Sequence, residues 1–448
     1  MDFNAFKQIV IAECEALGIA EYELYYQAGS STSVDTFQHS INEFSASYSG
    51  GVCFRCIVGG KMGYASTEAL NAEQAKAVVL KAMDNALNLE SEEQVFLGEG
   101  GQEYEPLEDR SYALPTTEEL ITKVLETTEK LYAADAMAVD GCQTQGIIET
   151  SETAIYNSKG LDLHTQMNVS GLIAVGVVSN GKEMSNDYQI KLGKLSEIDT
   201  DELVKKAVDG AKIKLGGEVA PTGQYPVVFS TEAMCSLLGV FSSIFSSEAA
   251  QKGLSKLAGR EGEMIASPIV TLVDDPFHPE NPIHSNFDAE GSPTHKKNVI
   301  EQGKLNTLLY NLKTAAVAGK KTTGNASKGG YDAPVGLRPF TMYLENGDMT
   351  EEALLAKVNE GVYITDLSGL HAGANAISGD FSLQSAGFMI HEGKKSEYVK
   401  SFTVAGNFYD LLKNIVALAN NCHLPRAMGS TAFGSPSVLV EGLSVAGK

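Results

Sequence analysis

The sequence predicts an α+β fold, and three observations predict it. In the first half, amphipathic helical segments flank runs of strand-like alternation. Glycine turns, "VGGKMGYAS" (58–66) and "VSNGKEMSN" (178–186), join neighbouring strands as hairpins. Beyond Tyr225 short strands and glycine turns dominate, with few helices between them, which reads as mainly antiparallel sheet.

Residues 1–218 read as an N-terminal α+β domain in which one helix–strands–helix unit is used twice, over 1–90 and 115–215. The first copy opens with a helix near Phe3–Leu17. Strand-like segments follow near 22–28, 31–38, 42–49, 51–58 and 61–66. A helix at 72–88 closes the copy, with Asn71 as its cap and Glu73 in its first turn. The second copy has a helix near 117–134, strands near 144–150, 152–157, 161–170, 171–178 and 183–190, and a helix near 200–214. Between the copies, "LESEEQVFLGEGGQEYEPLEDR" carries acids from Glu90 to Asp109 and one base, Arg110. It reads as a solvated connector. The Gly- and Pro-rich stretch "KLGGEVAPTGQYP" (214–226) is the best boundary, and a β-rich domain over 222–448 follows it.

A chain of 448 residues has room for two or three domains. Its formal net charge of −23, from 34 basic and 57 acidic side chains, argues against nucleic acid and anionic membrane surfaces as partners. No apolar run is long enough to span a bilayer. The opening "MDFNAFKQIVIAECEALGIAEYE" is broken by Glu13, Glu15 and Glu21, so it reads as an amphipathic helix and not a signal peptide. A cytoplasmic protein is expected. Six dispersed cysteines fit reduced thiols. Cys53 and Cys56 form a C-x-x-C pair on a strand, where residues three apart point to opposite faces. Two small buried side chains are expected there, not a metal or redox centre.

The richest polar cluster is "VDDPFHPENPIHSNFDAEGSPTHKK" (273–297), with Asp274, Asp275, His278, His284, Asp288, Glu290 and His295. Three histidines and four acids have metal-binding chemistry. Yet no histidine pair has a short ligand spacing, and the prolines and glycine make this a loop whose carboxylates can accept backbone N–H groups. The stretch "AGKKTTGNASKGG" (318–330) fails as a phosphate loop, because Thr314 stands where glycine is required and Lys321 follows Lys320. The stretch "LLGVFSSIFSSEAA" (237–250) reads as a helix. Met234, Leu237, Leu238, Phe241 and Phe245 form its buried stripe. Ser236, Gly239, Ser243 and Ser246 or Ser247 make a side of small residues. Nothing nearby supplies the base and oxyanion hole a serine nucleophile needs.

Five segments carry a family likeness: "GREGEMIASPIVTLVDDP" (259–276), "SNFDAEGSPTHKKNVIEQGKL" (285–305), "KTTGNAS" (321–327), "ANAISGDFSLQSAGFMIHEGK" (374–394) and "SFTVAGNFYDLLKNIVAL" (401–418). With them the C-terminal domain resembles the TldD/TldE (PmbA) family of peptide-processing metalloprotease components, and its details are closer to the TldE (PmbA) branch. In the TldD branch, the resemblance implies, an H-E-x-x-x-H helix precedes the Gly-Glu element. Its two histidines hold zinc and its glutamate serves as general base. Counted back from Gly262 and Glu263 without a gap, those positions fall at Leu238, Gly239 and Ser243, none of which can hold zinc or move a proton. The branch's zinc-binding cysteine falls near Cys422. The resemblance thus implies a metal-free chain with no cofactor of its own and zinc in a TldD-like catalytic partner. It also implies a homo- or heterodimer, and unfolded or short peptides as substrates. Two alternatives stay open. One is a self-sufficient metallopeptidase with ligands among His278, His284, His295, Cys422 and His423; the other is a peptide-binding homodimer without activity. The family also carries the label "modulator of DNA gyrase", but the chain's charge argues against direct DNA contact.

Overall fold

Alternation in residues 21–67 resolves into three strands where the sequence suggests five: β1 (Glu21–Phe37), β2 (Ser40–Val58) and β3 (Lys61–Thr67). The expected breaks at small polar runs do not occur. Pairing of β1 with β2 runs unbroken from Glu21↔Ile57 to Asp35↔Glu43, and ladder bonds carry the strands through residues of low β-propensity. The second unit merges in the same way into β4 (Gln143–Asn157), β5 (Asp162–Ser179) and β6 (Met184–Leu192). The structure, a computed structural model, describes residues 1–108, 112–425 and 431–448.

The six strands form one antiparallel sheet in the order β3-β2-β1-β4-β5-β6. Helices α1 (Phe3–Leu17) and α2 (Ala72–Asn88) cover one end, where Phe6, Val10, Leu24, Phe54 and Val79 are buried together. Helices α3 (Thr117–Ala134) and α4 (Thr200–Ile213) cover the other end over Leu120, Val124, Leu172 and Ala207. Their starts are fixed by Asn71 accepting from the Gln74 N–H and by a Thr116–Glu119 capping box. Gly63 lets α2 lie directly on β3: a Cβ there would sit 1.9 Å from the Ala82 carbonyl oxygen.

The acidic connector is not merely solvated, which corrects the sequence reading. Leu97 is buried, Asn157 donates to the Gly98 carbonyl at 2.8 Å, and the Tyr104 hydroxyl donates to the Gly291 carbonyl at 2.8 Å. Asn286 reaches back to the Glu105 carbonyl at 2.9 Å. The segment is held by its backbone, by Leu97 and by the Tyr104 hydroxyl, none of which charge patterning reveals. Asp109 and Arg110 lie outside the described residues.

The C-terminal strands are β7 (Glu218–Val219), β8 (Gly223–Phe229), β9 (Leu272–Asp274), β10 (Lys297–Glu301), β11 (Lys304–Leu305), β12 (Ala326–Ser327), β13 (Gly336–Leu337), β14 (Thr341–Leu344), β15 (Glu360–Ser368), β16 (Asp380–His391), β17 (Lys394–Asn407), β18 (Ile415–Leu418), β19 (Ala432–Gly434) and β20 (Val438–Ala446). A sheet of order β18-β20-β8-β15-β16-β17-β7 curls until β20 also meets β17, at Thr403↔Ala446 to Ala405↔Ser444. The ring β20-β8-β15-β16-β17 is therefore closed, which removes its edges. A second sheet, β11-β10-β9-β14-β19, lies beside it. The chain is 25% helix and 40% strand, an α+β fold as the sequence predicts. No helix among the described residues is long and apolar enough to cross a membrane.

The serine-rich stretch is not one helix. Helix α5 (Thr231–Phe241) ends at Ser242, a 3-10 turn spans Ser242–Phe245, and α6 (Ser247–Gln251) restarts with Ser246 as its cap. Ser246 accepts from the Ala249 N–H at 3.3 Å. Met234, Leu237, Leu238, Phe241 and Phe245 are all fully buried, as their spacing requires.

Candidate functional site

The three positions that the resemblance sets against a zinc helix, Leu238, Gly239 and Ser243, do not face one place. Leu238 is packed in the core of the closed ring with Met234 and Phe241. Gly239, one residue on, is exposed; a Cβ there would meet the Phe433 ring at 3.6 Å. Ser243 is exposed in the 3-10 turn, and its carbonyl accepts from the Ser246 N–H. An alkyl group, a hydrogen and a hydroxyl offer no imidazole or carboxylate, so these residues do not fit zinc.

The other candidate ligands are engaged separately. The His278 ring packs edge-on against Tyr343 at 4.8 Å, and its Nδ1 accepts from the Glu280 N–H at 3.3 Å. His284 donates through Nε2 to the His278 carbonyl at 3.0 Å. Burial holds both His278 and His295 below the usual histidine range. Burial, with Glu280 nearby, pushes the Cys422 thiol up to about 12. His423 donates from Nδ1 to the Asn421 carbonyl at 3.1 Å, and its Nε2 lies 3.7 Å from Glu232. Among the described residues no three His, Cys, Asp or Glu side chains gather as a metal site.

The acidic loop is built of turn chemistry. Asp288 accepts from the N–H groups of Glu290 (2.9 Å), Ser292 (3.0 Å) and Ala326 (2.9 Å). Asp274 accepts from Lys297 (3.1 Å), Asn325 (2.7 Å) and the Phe340 N–H (2.7 Å). Glu290 accepts from the Leu312 N–H at 2.8 Å. Despite these donors, burial pushes Asp288 up to about 6, and burial with the Asp288 charge pushes Glu290 up to about 7.

Sequence reasoning missed the buried ion pair facing this loop. Arg55 on β2 and Glu23 on β1 are 5% and 1% exposed and 2.7 Å apart. The Glu23, Arg55 and Glu290 charges act on one another across the boundary between the halves. The available signal was an arginine inside the apolar strand "VCFRCIV". Cys53 and Cys56, on either side of it, are buried thiols.

A further concavity lies between β6 and α4 on one side and the C-terminal half on the other. It encloses about 640 Å³ and is lined by Tyr188, Leu203, Phe388, Tyr398 and Leu424, with Glu232, Glu280 and His423 at one end. Lys214 bridges its walls, 2.9 Å from Asp187 and 3.3 Å from Asp366. A smaller cavity of about 480 Å³ shares Ile190, Lys191, Glu280, Leu424 and Pro425 with it and extends it along β6. β6 is the last strand of its sheet, so its outer edge is open among the described residues. Burial would raise Glu232, but hydrogen bonds from His423, its own N–H and Ser230 win and hold it at about 2. His423 is raised by that same carboxylate. The result is a cleft of mixed lining, in which Tyr188, Leu203, Phe388 and Tyr398 stand among charged side chains such as Glu202, Lys206 and Asp366, with a strand edge along one side. Such a cleft can take an extended chain.

Comparison with known proteins agrees over the whole length. Residues 222–447 match the PmbA/TldA metallopeptidase C-terminal domain, residues 22–86 match domain 1 of that family, and residues 111–215 match its central domain. An uncharacterized protein of Methanocaldococcus jannaschii is 27% identical over 91% of both chains. A metalloprotease of Methanothermobacter thermautotrophicus is 27% identical over 86% of this chain and 84% of its own. Metalloprotease PmbA of Escherichia coli O157:H7 is 26% identical over 55% of this chain and 52% of its own. Among solved structures, a proposed modulator of a DNA gyrase from Thermotoga maritima superposes with a TM-score of 0.89 at 30% identity, covering 99% of this chain and 100% of that one. TldE from Thermococcus kodakarensis superposes with a TM-score of 0.88 at 23% identity over 99% and 100%, a likeness of fold. From its first strand to its last, the chain belongs to the PmbA/TldA metallopeptidase family.

Proposed function

We propose that this chain is the non-catalytic, TldE-like subunit of a two-component metallopeptidase. A TldD-like partner would hold the zinc and the general base, and unfolded or short peptides would be processed in a maturation or degradation step in the cytoplasm. The observation that carries this reading is the chemistry at the three helix positions: the buried alkyl group of Leu238, the absent side chain of Gly239 and the exposed hydroxyl of Ser243. A ligand helix needs two imidazoles and a carboxylate facing one space. Supporting it, His423 is engaged by the Glu232 carboxylate and the Asn421 carbonyl. This chain's part would be to bind and orient the peptide. The cleft beside β6 offers aromatic side chains and charged groups to a peptide's side chains and an open edge to its backbone, and backbone pairing selects for extended chain and not for one sequence.

The test is a peptide-cleavage assay of this chain, of a TldD-like protein and of the mixture, with zinc measured on each. The expected result is substoichiometric zinc and no cleavage for this chain, and cleavage in the mixture. Stoichiometric zinc together with cleavage by this chain alone would overturn the reading.

A further inference from the structure

The helix-covered face of the first sheet is dented beside the start of α1. On that face Tyr26, Ala28, Gly50, Glu152, Ala154 and His164 are neighbours, because directly paired residues point to one side. Ala28, Gly50 and Ala154 make a low floor; a Cβ at Gly50 would already meet that of Ala28 at 2.6 Å. A cavity of about 640 Å³ opens there, lined by the aromatic residues Phe3, Tyr26 and Tyr48. Phe3 stacks on Tyr26 at 4.9 Å, and the Tyr26 and Tyr48 hydroxyls hydrogen-bond. Carboxylates stand on two sides: Glu68 after β3, and Glu152 and Asp162 on β4 and β5. Lys7 holds Asp162, and His164 lies 2.8 Å from Glu152. Glu68 accepts from the Tyr331 hydroxyl at 3.3 Å and has no ion-pair partner among the described residues. Of the other lining groups, Asp2 caps α1 and the Met1 amine donates to the Leu70 carbonyl at 2.9 Å.

Lys7 shows how this face holds an ammonium group. Its Nζ lies 4.9 Å from the centre of the Tyr156 ring, 6.0 Å from that of Phe3 and 3.1 Å from Asp162. Rings and a carboxylate together replace the water that this lysine, 7% exposed, gives up. The cavity beside it repeats those groups with no lysine among its lining residues. We propose that it binds an aliphatic polyamine, with the aromatic rings along the methylene chain and an ammonium group at each carboxylate wall. The spacing of the walls argues for two charges and not one. Glu68 follows β3 and Glu152 lies on β4, three strand spacings or about 14 Å across the sheet. One ammonium group cannot meet both walls, whereas a chain with one at each end can. None of the cavity's lining residues lines the cleft beside β6, so the inference does not rest on peptide binding or on the zinc-free reading.

Isothermal titration calorimetry with spermidine should show one binding site per chain, weakened by added salt. Butylamine, with a single ammonium group, should bind about tenfold more weakly or worse. Tyr48→Ala and Glu152→Gln should each lower spermidine affinity about tenfold. Circular dichroism should stay unchanged in both, since Tyr48 is 73% exposed and the Glu152 side chain 36% exposed. Glu441→Gln removes an exposed carboxylate of β20 and should leave the affinity as it is. That variant separates a site from the general attraction of polycations to a chain of net charge −23. Absence of spermidine binding would overturn the proposal, as would equal losses in Glu152→Gln and Glu441→Gln. Tighter binding of dilysine amide than of spermidine would also overturn it, because the site would then be one for peptide side chains.

Discussion

Arg55 and Glu23 stand directly opposite each other in the β1–β2 ladder, and both are nearly inaccessible to water. A buried pair adds little over an apolar pair of the same size, but breaking one is costly because it strands the other charge. Arg55→Met should therefore lose about 3–5 kcal/mol in urea unfolding. The double variant Glu23→Gln/Arg55→Met should recover much of that loss, and equal losses for the single and double variants would disprove the argument. Arg55 was visible in the sequence as a lone charge in an apolar strand. Its partner was not, because the pairing Glu23↔Arg55 depends on register across a hairpin. The neighbouring carboxylates make a pH prediction. Asp288 and Glu290 are raised to about 6 and about 7, so the folded state holds their protons more tightly than the unfolded chain does. Their contribution is fully present below the ordinary carboxylate range and is lost as pH rises through about 6 to 7. Glu290→Gln keeps an acceptor for the Leu312 N–H and removes the titration. It should flatten the fall in Tm between pH 5 and pH 8, roughly the range that spans both groups; an unchanged slope would rule the pair out as its cause.

Serine has two uses in a helical region, and the stretch from Leu237 to Ala250 shows which one applies. Apolar spacing correctly placed Met234, Leu237, Leu238, Phe241 and Phe245 in the core. It could not show that the helix stops and restarts, because the buried stripe continues through the break. Ser246 carried that information, because it caps the start of α6, a position serine prefers, just after α5 ends at Ser242. Ser246→Ala should thus lose about 1 kcal/mol of stability, the usual loss for an N-cap, with no change in peptide binding. A loss of binding at unchanged stability would mean that the serine faces a ligand. Hairpin turns were the most legible elements, since Gly59–Gly60 and Asn180–Gly181 sit where β2–β3 and β5–β6 reverse. Strand lengths were not, because a ladder decides how far a polar stretch stays extended.

At the scale of the molecule, antiparallel sheet and family membership were legible, whereas the contacts between the halves were not. Closure of the C-terminal ring joins residues 403–405 to 444–446, and no local pattern encodes such a pairing. The same holds for Lys214, which sequence alone places at the end of a helix. In the structure its ammonium group lies between Asp187 of the first half and Asp366 of the second. Burial opposes its charge, but the two carboxylates prevail and raise it above the ordinary lysine range. Replacing it by methionine would keep the stem's packing and leave two carboxylates facing one another across the cleft. The walls should then separate. Amide exchange should quicken at Tyr188–Leu192 and Thr365–Leu367, while the sheet centre around Leu24 and Ile155 stays protected. Because the site is only partly buried, the stability lost should be about 1 kcal/mol, and raised salt should shrink the difference by screening the repulsion. Lys214→Arg should restore slow exchange. If exchange instead quickened evenly along the chain, Lys214 would be supporting the fold as a whole and not the width of the cleft.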